Sequence, residues 1–147
     1  MPAYKEASWS GVLGLAFEVS IWKNDESRRR AVCVSVSGQY RAGPKDPEGG
    51  VVIAMIVAAA MANPRGPCGG LVLDIRELEY RSGDMLFYWR DSLNQFRLPS
   101  DRYPCALACS DRNVKEVRSL LKDEGRTDLL ETLSMSLEDA LACVLVE

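Results

Sequence analysis

The sequence predicts a single mixed α/β domain in which an N-terminal β-hairpin joins a mostly parallel sheet carrying four helices. Three observations predict it. Two early segments alternate in polarity with the two-residue period of half-buried strands. Two later segments, "GLVLDI" and "PCALACS", are short, nearly continuous apolar runs of the kind that form central strands covered on both faces. Each of these is followed by a segment with the period of an amphipathic helix.

In "GLAFEVSIW" and "AVCVSVSGQY" the β-branched and aromatic residues are concentrated, and Val32, Val34 and Val36 share one face while Cys33, Ser35 and Ser37 share the other. The polar "KNDESRRR" between them reads as a hairpin loop, which makes the pair antiparallel. "RAGPKDPEGG" then breaks any regular element, and "NPRGPCGG" closes the apolar run Val51 to Ala62. The length and alanines of that run favour helix over strand, against the β-branched Val51, Val52, Ile53, Ile56 and Val57. A helix apolar on every side must be covered by the sheet and a neighbouring helix, or by a second copy in a homodimer.

After "GLVLDI", Met85, Trp89, Leu93 and Phe96 fall at helical spacing, with Arg90, Asp91 and Asn94 opposite, so a helix is expected over Asp84 to Phe96. "DRNVKEVRSLLKDEG" repeats the pattern, with Val114, Val117 and Leu121 inward and Gly125 as its stop. "DLLETLSM" reads as a last strand. "SLEDALACVLVE" reads as a terminal helix with Leu137, Leu141, Val144 and Leu145 on one face, Ser136 and Asp139 forming an acidic variant of the capping box. The order is β-β-α-β-α-β-α-β-α, one domain over residues 1–147 with its core at about 12–145.

Composition narrows the function. At 147 residues, with 47% hydrophobic and 27% charged residues and a formal net charge of −3, the chain matches a globular protein able to bury a core without staples. Its one basic run, Arg28-Arg29-Arg30, adjoins Asp25 and Glu26 and lacks interleaved aromatics, which speaks against nucleic acid. Histidine is absent, so Ser-His and Cys-His catalysis within this chain are excluded. The five cysteines form no CxxC pair and read as buried, reduced thiols of a cytosolic protein. "MPAYKEASWSG" does not have the pattern of a secretory signal, and the longest apolar run falls short of the roughly 20 residues that span a bilayer, so no membrane is expected. No cofactor or metal is implied.

The main functional feature is "LVLDIRELEYRSGDML", where an apolar strand breaks at Arg81-Ser82-Gly83-Asp84. Ser82 has two readings. As a helix cap it would accept from first-turn amides, Asp84 adding favourable charge; as a phosphorylation site, its phosphate would meet a helix N-terminus and Arg81. The carboxylates Asp74, Glu77, Glu79 and Asp84 cluster along the same strand and corner, but alternate with Arg76 and Arg81, which suggests ion pairing over paired-carboxylate catalysis. Arg76, Glu79, Tyr80, Arg81, Ser82, Asp84 and Arg90 are the candidate partner contacts, since Arg and Tyr dominate interface energetics. Trp89 reads as core.

The order of elements, with "VSVSGQY", "GGLVLDIRELEY", "YPCALACSDRNVKEVRSLLKDEG" and "TLSMSLEDAL", resembles the STAS domain, the anti-sigma-factor-antagonist and sulphate-transporter family. The resemblance implies a non-enzymatic bacterial regulatory domain whose partner is an anti-sigma-factor-like kinase. In that family the corner usually reads Asp-Ser-Ser-Gly, with a phosphorylated serine; here it reads "YRSGDML", with Ser82-Gly83 in the place of Ser-Gly and without the preceding aspartate and first serine. Two rivals stand beside it. One is an immunity or antitoxin protein that plugs a toxin. The other is a degenerate crotonase-like or ClpP-like acyl-binding or hydrolytic domain, since "RSGDML" is similar to that group's oxyanion-hole turn. That group's second Gly-rich turn has no counterpart here.

Overall fold

The computed structural model describes residues 3–12, 14–24, 29–40, 48–62, 69–95 and 104–145. Asp25, Glu26, Arg28 and Phe96, named above, and Cys68, one of the five cysteines, lie outside the described residues. The order is β1 (Ala3–Val12), β2 (Leu15–Lys23), β3 (Arg30–Gln39), α1 (Glu48–Met61), β4 (Gly70–Glu79), α2 (Tyr88–Gln95), β5 (Cys105–Ala108), α3 (Val114–Asp123), α4 (Thr127–Glu131), β6 (Leu133–Ser134) and α5 (Leu137–Leu145). All six described strands form one sheet in the order β1-β2-β3-β4-β5-β6. The first two pairings are antiparallel and the remaining three parallel, so the fold is mixed α/β.

Alternation in the strands separates two faces. Leu15, Phe17, Val19 and Ile21 of β2, Val32, Val34 and Val36 of β3, and Leu71, Leu73 and Ile75 of β4 join the main core with Ile53 and Val57 of α1, Trp89 and Leu93 of α2, and Val117 and Leu121 of α3. On the reverse face, Ala31, Cys33, Val72, Ala106 and Ala108 pack against Ala140, Leu141, Val144 and Leu145 of α5. The small side chains on this face let α5 lie close to the sheet. β4 is buried on both faces along Gly70–Ile75, as its apolar run predicts.

The helix ends follow the chemistry of their residues. In α3 the Arg126 N–H bonds Leu121 O at 2.9 Å and the Gly125 N–H bonds Lys122 O at 3.1 Å, the Schellman arrangement, with Gly125 at φ 66°. Ser136 Oγ accepts from the Asp139 N–H at 3.1 Å, which caps α5 as its sequence predicts.

Three expectations change. The start of the sheet is a three-stranded meander instead of a hairpin, because Ala3–Val12 pairs along β2. An edge strand is held largely by backbone pairing with its neighbour, so "AYKEASWSGV" needs no strong apolar alternation of its own. There are five helices among the described residues instead of four. Leu129, Leu130 and Leu133 are spaced i, i+1, i+4, which suits a helical turn, so "DLLETLSM" forms α4 and leaves only Leu133 and Ser134 to pair with β5. Finally, α2 starts at Tyr88 and not at Asp84: residues Asp84–Phe87 form a turn that carries Leu86 and Phe87 into the core ahead of the helix.

Candidate functional site

The corner after β4 is built from below by two tyrosines. Tyr80, 3% exposed, packs edge-on against Tyr40 with ring centroids 5.2 Å apart. Its hydroxyl donates to Gly83 O, which ties the loop back onto the strand it leaves. The Gly50 N–H at the start of α1 reaches the Tyr40 hydroxyl. Gly50 is required there because a Cβ would overlap the Met85 carbonyl of the corner turn. Burial pushes the Tyr40 hydroxyl up to about 12, and burial together with Tyr40 and Asp84 raises Tyr80 further, so both remain neutral donors at ordinary pH.

On this support Arg81, Ser82 and Asp84 are exposed. They border a cleft of about 330 Å³ whose far wall is the polar side of α3, contributed by Lys115, Glu116 and Ser119. With Asp123, the charged groups are two cations and three carboxylates. Sequence periodicity marks Lys115, Ser119 and Asp123 as one helical face, but nothing local reveals that this face opposes the corner.

Ser82 precedes the first residue of α2 by six positions, so it does not cap that helix, and a phosphate there would not sit on its N-terminus. This removes the capping reading. Of the other candidates, Arg81, Ser82 and Asp84 are brought together. Tyr80 supports the loop and presents almost no surface. Glu79 is exposed at the end of β4. Arg90 faces another neighbourhood, donating to Asp128 at 3.3 Å and to Cys105 Sγ at 3.2 Å.

Arg76 lies on the sheet face that carries α5, where its Nε and Nη2 bond Asp74 Oδ1 at 2.8 Å and Oδ2 at 3.1 Å. Ser35 Oγ and the Arg76 N–H add donors at 3.1 and 3.2 Å, so all the polar capacity of this nearly buried carboxylate is directed at its own chain. The hydrogen bond to Asp74 raises Arg76 above the usual guanidinium range. The ion-pair reading of Asp74 and Arg76 therefore describes the site. Among the described residues no group of three or more His, Cys, Asp or Glu could hold a metal. Burial pushes the Cys33 and Cys109 thiols up to about 11 and about 12, far from a reactive thiolate. Cys143, expected to be buried, is exposed on α5.

Two residues that carry no obvious signal hold β4 in place. β5 pairs with β4 only from Leu71 to Asp74. Beyond Asp74 the carbonyls of β4 meet the β5–α3 loop: Asn113, fully buried, donates through Nδ2 to Ile75 O at 2.7 Å and Leu78 O at 2.8 Å, and Ser110 Oγ donates to Arg76 O at 2.7 Å. These side chains replace a missing strand neighbour, across separations of 34 to 38 residues. Comparison with known proteins finds no family model that matches the chain, and no curated protein matches it either.

Proposed function

We propose that this chain is a non-enzymatic regulatory domain of STAS-like kind that binds another protein through the Arg81–Asp84 corner and the facing side of α3. The observation that carries the reading is the corner itself: an exposed Arg-Ser-Gly-Asp loop held on a buried tyrosine pair above a mixed-charge cleft. Preorganised loops lose little entropy on binding, and mixed charge favours a specific, polar partner surface over a lipid. The sequential order of strands β3 to β6 with helices between them agrees with the resemblance in "Sequence analysis". A crotonase-like acyl site is less well supported, since an acyl chain needs an apolar lining and, among the described residues of the cleft, Tyr80 and Leu120 alone supply one.

Ser82 is the regulatory position. A phosphate adds a charge of about −1.5 to −2 at neutral pH, which would draw Arg81 and Lys115 inward and repel an acidic partner surface. The site of action is the cytosol, where kinase substrates and reduced thiols coexist. The test is phosphosite mapping by mass spectrometry after incubation with ATP and native-host lysate, alongside affinity capture with the wild type and Ser82→Asp. Modification at Ser82 and loss of a captured protein from Ser82→Asp are expected. An unmodified Ser82 with unchanged capture would overturn the switch, and capture that is unchanged by Arg81→Glu as well would overturn the corner as the contact.

A further inference from the structure

After Glu48, α1 carries no polar side chain: residues 49–62 are glycine, alanine, valine, isoleucine and methionine alone. Folding covers one side of it. Ile53, Ala54, Val57, Ala60 and Met61 are buried, and the helix packs on β3 and α2. On the other side Val51, Met55, Ala59 and Ala62 are exposed along a single helical stripe, with Val52 and Ala58 half-buried beside them. Ala62 continues the helical turn, its N–H bonding Ala58 O at 3.0 Å. Three large apolar side chains are exposed among the described residues, and two of them, Val51 at 37% and Met55 at 66%, lie one turn apart on this stripe. A single exposed methionine needs no explanation, whereas an apolar row without polar interruption marks an interaction surface.

Three properties of the stripe identify its occupant. The first is charge. α1 has no lysine or arginine, the residues with which an interfacial helix engages lipid headgroups, so complementarity calls for a protein surface that is itself uncharged and apolar. The second is a gradient of size: bulky Val51, Val52 and Met55 occupy the first half of the stripe, and Ala58, Ala59 and Ala62 the second. With a two-fold axis at the level of Val57, the stripe runs antiparallel against itself. Met55 then meets Ala58 and Ala59 of the second copy, and Val51 and Val52 meet its Ala62, every contact occurring twice. Bulk faces alanine throughout, and the helix dipoles oppose. The third is area. From Val51 to Ala62 the stripe is about 17 Å long, and at a helix diameter of about 10 Å its footprint is about 170 Å². A standard interface buries about 800 Å² per partner, so the stripe suits the apolar centre of a small, concentration-dependent pair.

We propose that α1 forms the centre of a weak two-fold homodimer in which the stripes of two copies pack antiparallel. The pairing uses no residue of the Arg81–Asp84 corner, so it stands independently of the corner as a partner contact.

The test is sedimentation equilibrium of the full chain from about 5 μM to about 1 mM, a range that spans weak association. The mean mass is expected to rise from 16.3 kDa toward twice that value. Met55→Lys lowers association at least about tenfold, whereas Met135→Lys, at the exposed methionine outside the stripe, leaves it unchanged. Ala59→Met alone crowds Met55 of the second copy and weakens association about tenfold; adding Met55→Ala restores it, because exchanging the two sizes rebuilds the same contact. All three positions are exposed, and circular dichroism checks that the variants fold. A mass of 16.3 kDa at every concentration, association indifferent to Met55→Lys, or no recovery in the double variant would overturn the antiparallel pair. So would a chain that stays monomeric yet floats with phosphatidylcholine vesicles, which would assign the stripe to a lipid surface.

Discussion

Replacing Asn113 with alanine tests how the corner is held. Asn113 is fully buried and its amide satisfies the carbonyls of Ile75 and Leu78 at 2.7 and 2.8 Å. A buried polar group left without a partner costs about 1–3 kcal/mol, so two orphaned carbonyls cost about 2–6 kcal/mol before relaxation. Domains of this size are stable by about 5–15 kcal/mol, which makes the loss a large share of the total. The assay is equilibrium urea unfolding. With a slope of about 2 kcal/mol/M, a loss of 3 kcal/mol lowers the midpoint by about 1.5 M at unchanged slope.

Asn113→Asp sharpens the experiment because it keeps the volume. A carboxylate has no donors and would face two carbonyl oxygens, so it is expected to be at least as destabilising as alanine. The perturbation should also reach the base of the corner, since Leu78 lies two residues before Tyr80, and protection against hydrogen exchange of the Tyr40 amide, which bonds Glu79 O at 2.8 Å, should fall in step. A loss below about 1 kcal/mol in both variants would refute the reasoning, because it would mean that those carbonyls find other partners at little cost.

Gly50→Ala places a Cβ against the Met85 carbonyl and is expected to destabilise by about 1–3 kcal/mol while shifting the Tyr40 and Tyr80 ring signals in NMR spectra. Alkaline pH is expected to weaken the fold between about pH 9 and 12. Cys33, Cys109 and Tyr40 ionise in the unfolded chain near 9 to 10 but resist until about 11 to 12 when folded, so the unfolded state holds fewer protons and stability falls as pH rises. Each such group adds a slope of at most about 1.4 kcal/mol per pH unit, measurable from urea midpoints at stepped pH; flat midpoints across that window would contradict the burial of these groups. Asp74→Asn keeps the shape but removes the charge that two guanidinium donors and Ser35 share, and a loss of about 1–2 kcal/mol is expected by thermal unfolding.

From Gly70 onward the βα alternation could be read directly, because buried strands such as "GLVLDI" and one-sided helices such as Val114–Asp123 carry their own periods. The features that escaped depend on partners distant in sequence. β1 is specified by its pairing with β2, and its own residues alternate weakly. The start of α2 is hidden in the sequence because Met85 stands four residues before Trp89 and eight before Leu93, so a turn that buries Leu86 and Phe87 continues the helical spacing. At the site, the exposed Arg81-Ser82-Gly83-Asp84 corner was legible from its glycine and polar residues. Its supports were not: Tyr40, Gly50 and Asn113 act across 30 or more residues.

The most direct measurement of the central claim is site-specific photo-crosslinking in the native host. A photoreactive phenylalanine analogue replaces Ser82 in one sample and Glu131 on α4 in another, and the adducts are identified by mass. A corner that binds another protein yields one dominant adduct from position 82 that is absent from position 131. Equal labelling from both positions, or no protein adduct from position 82 in cells that express the chain at normal levels, would contradict it.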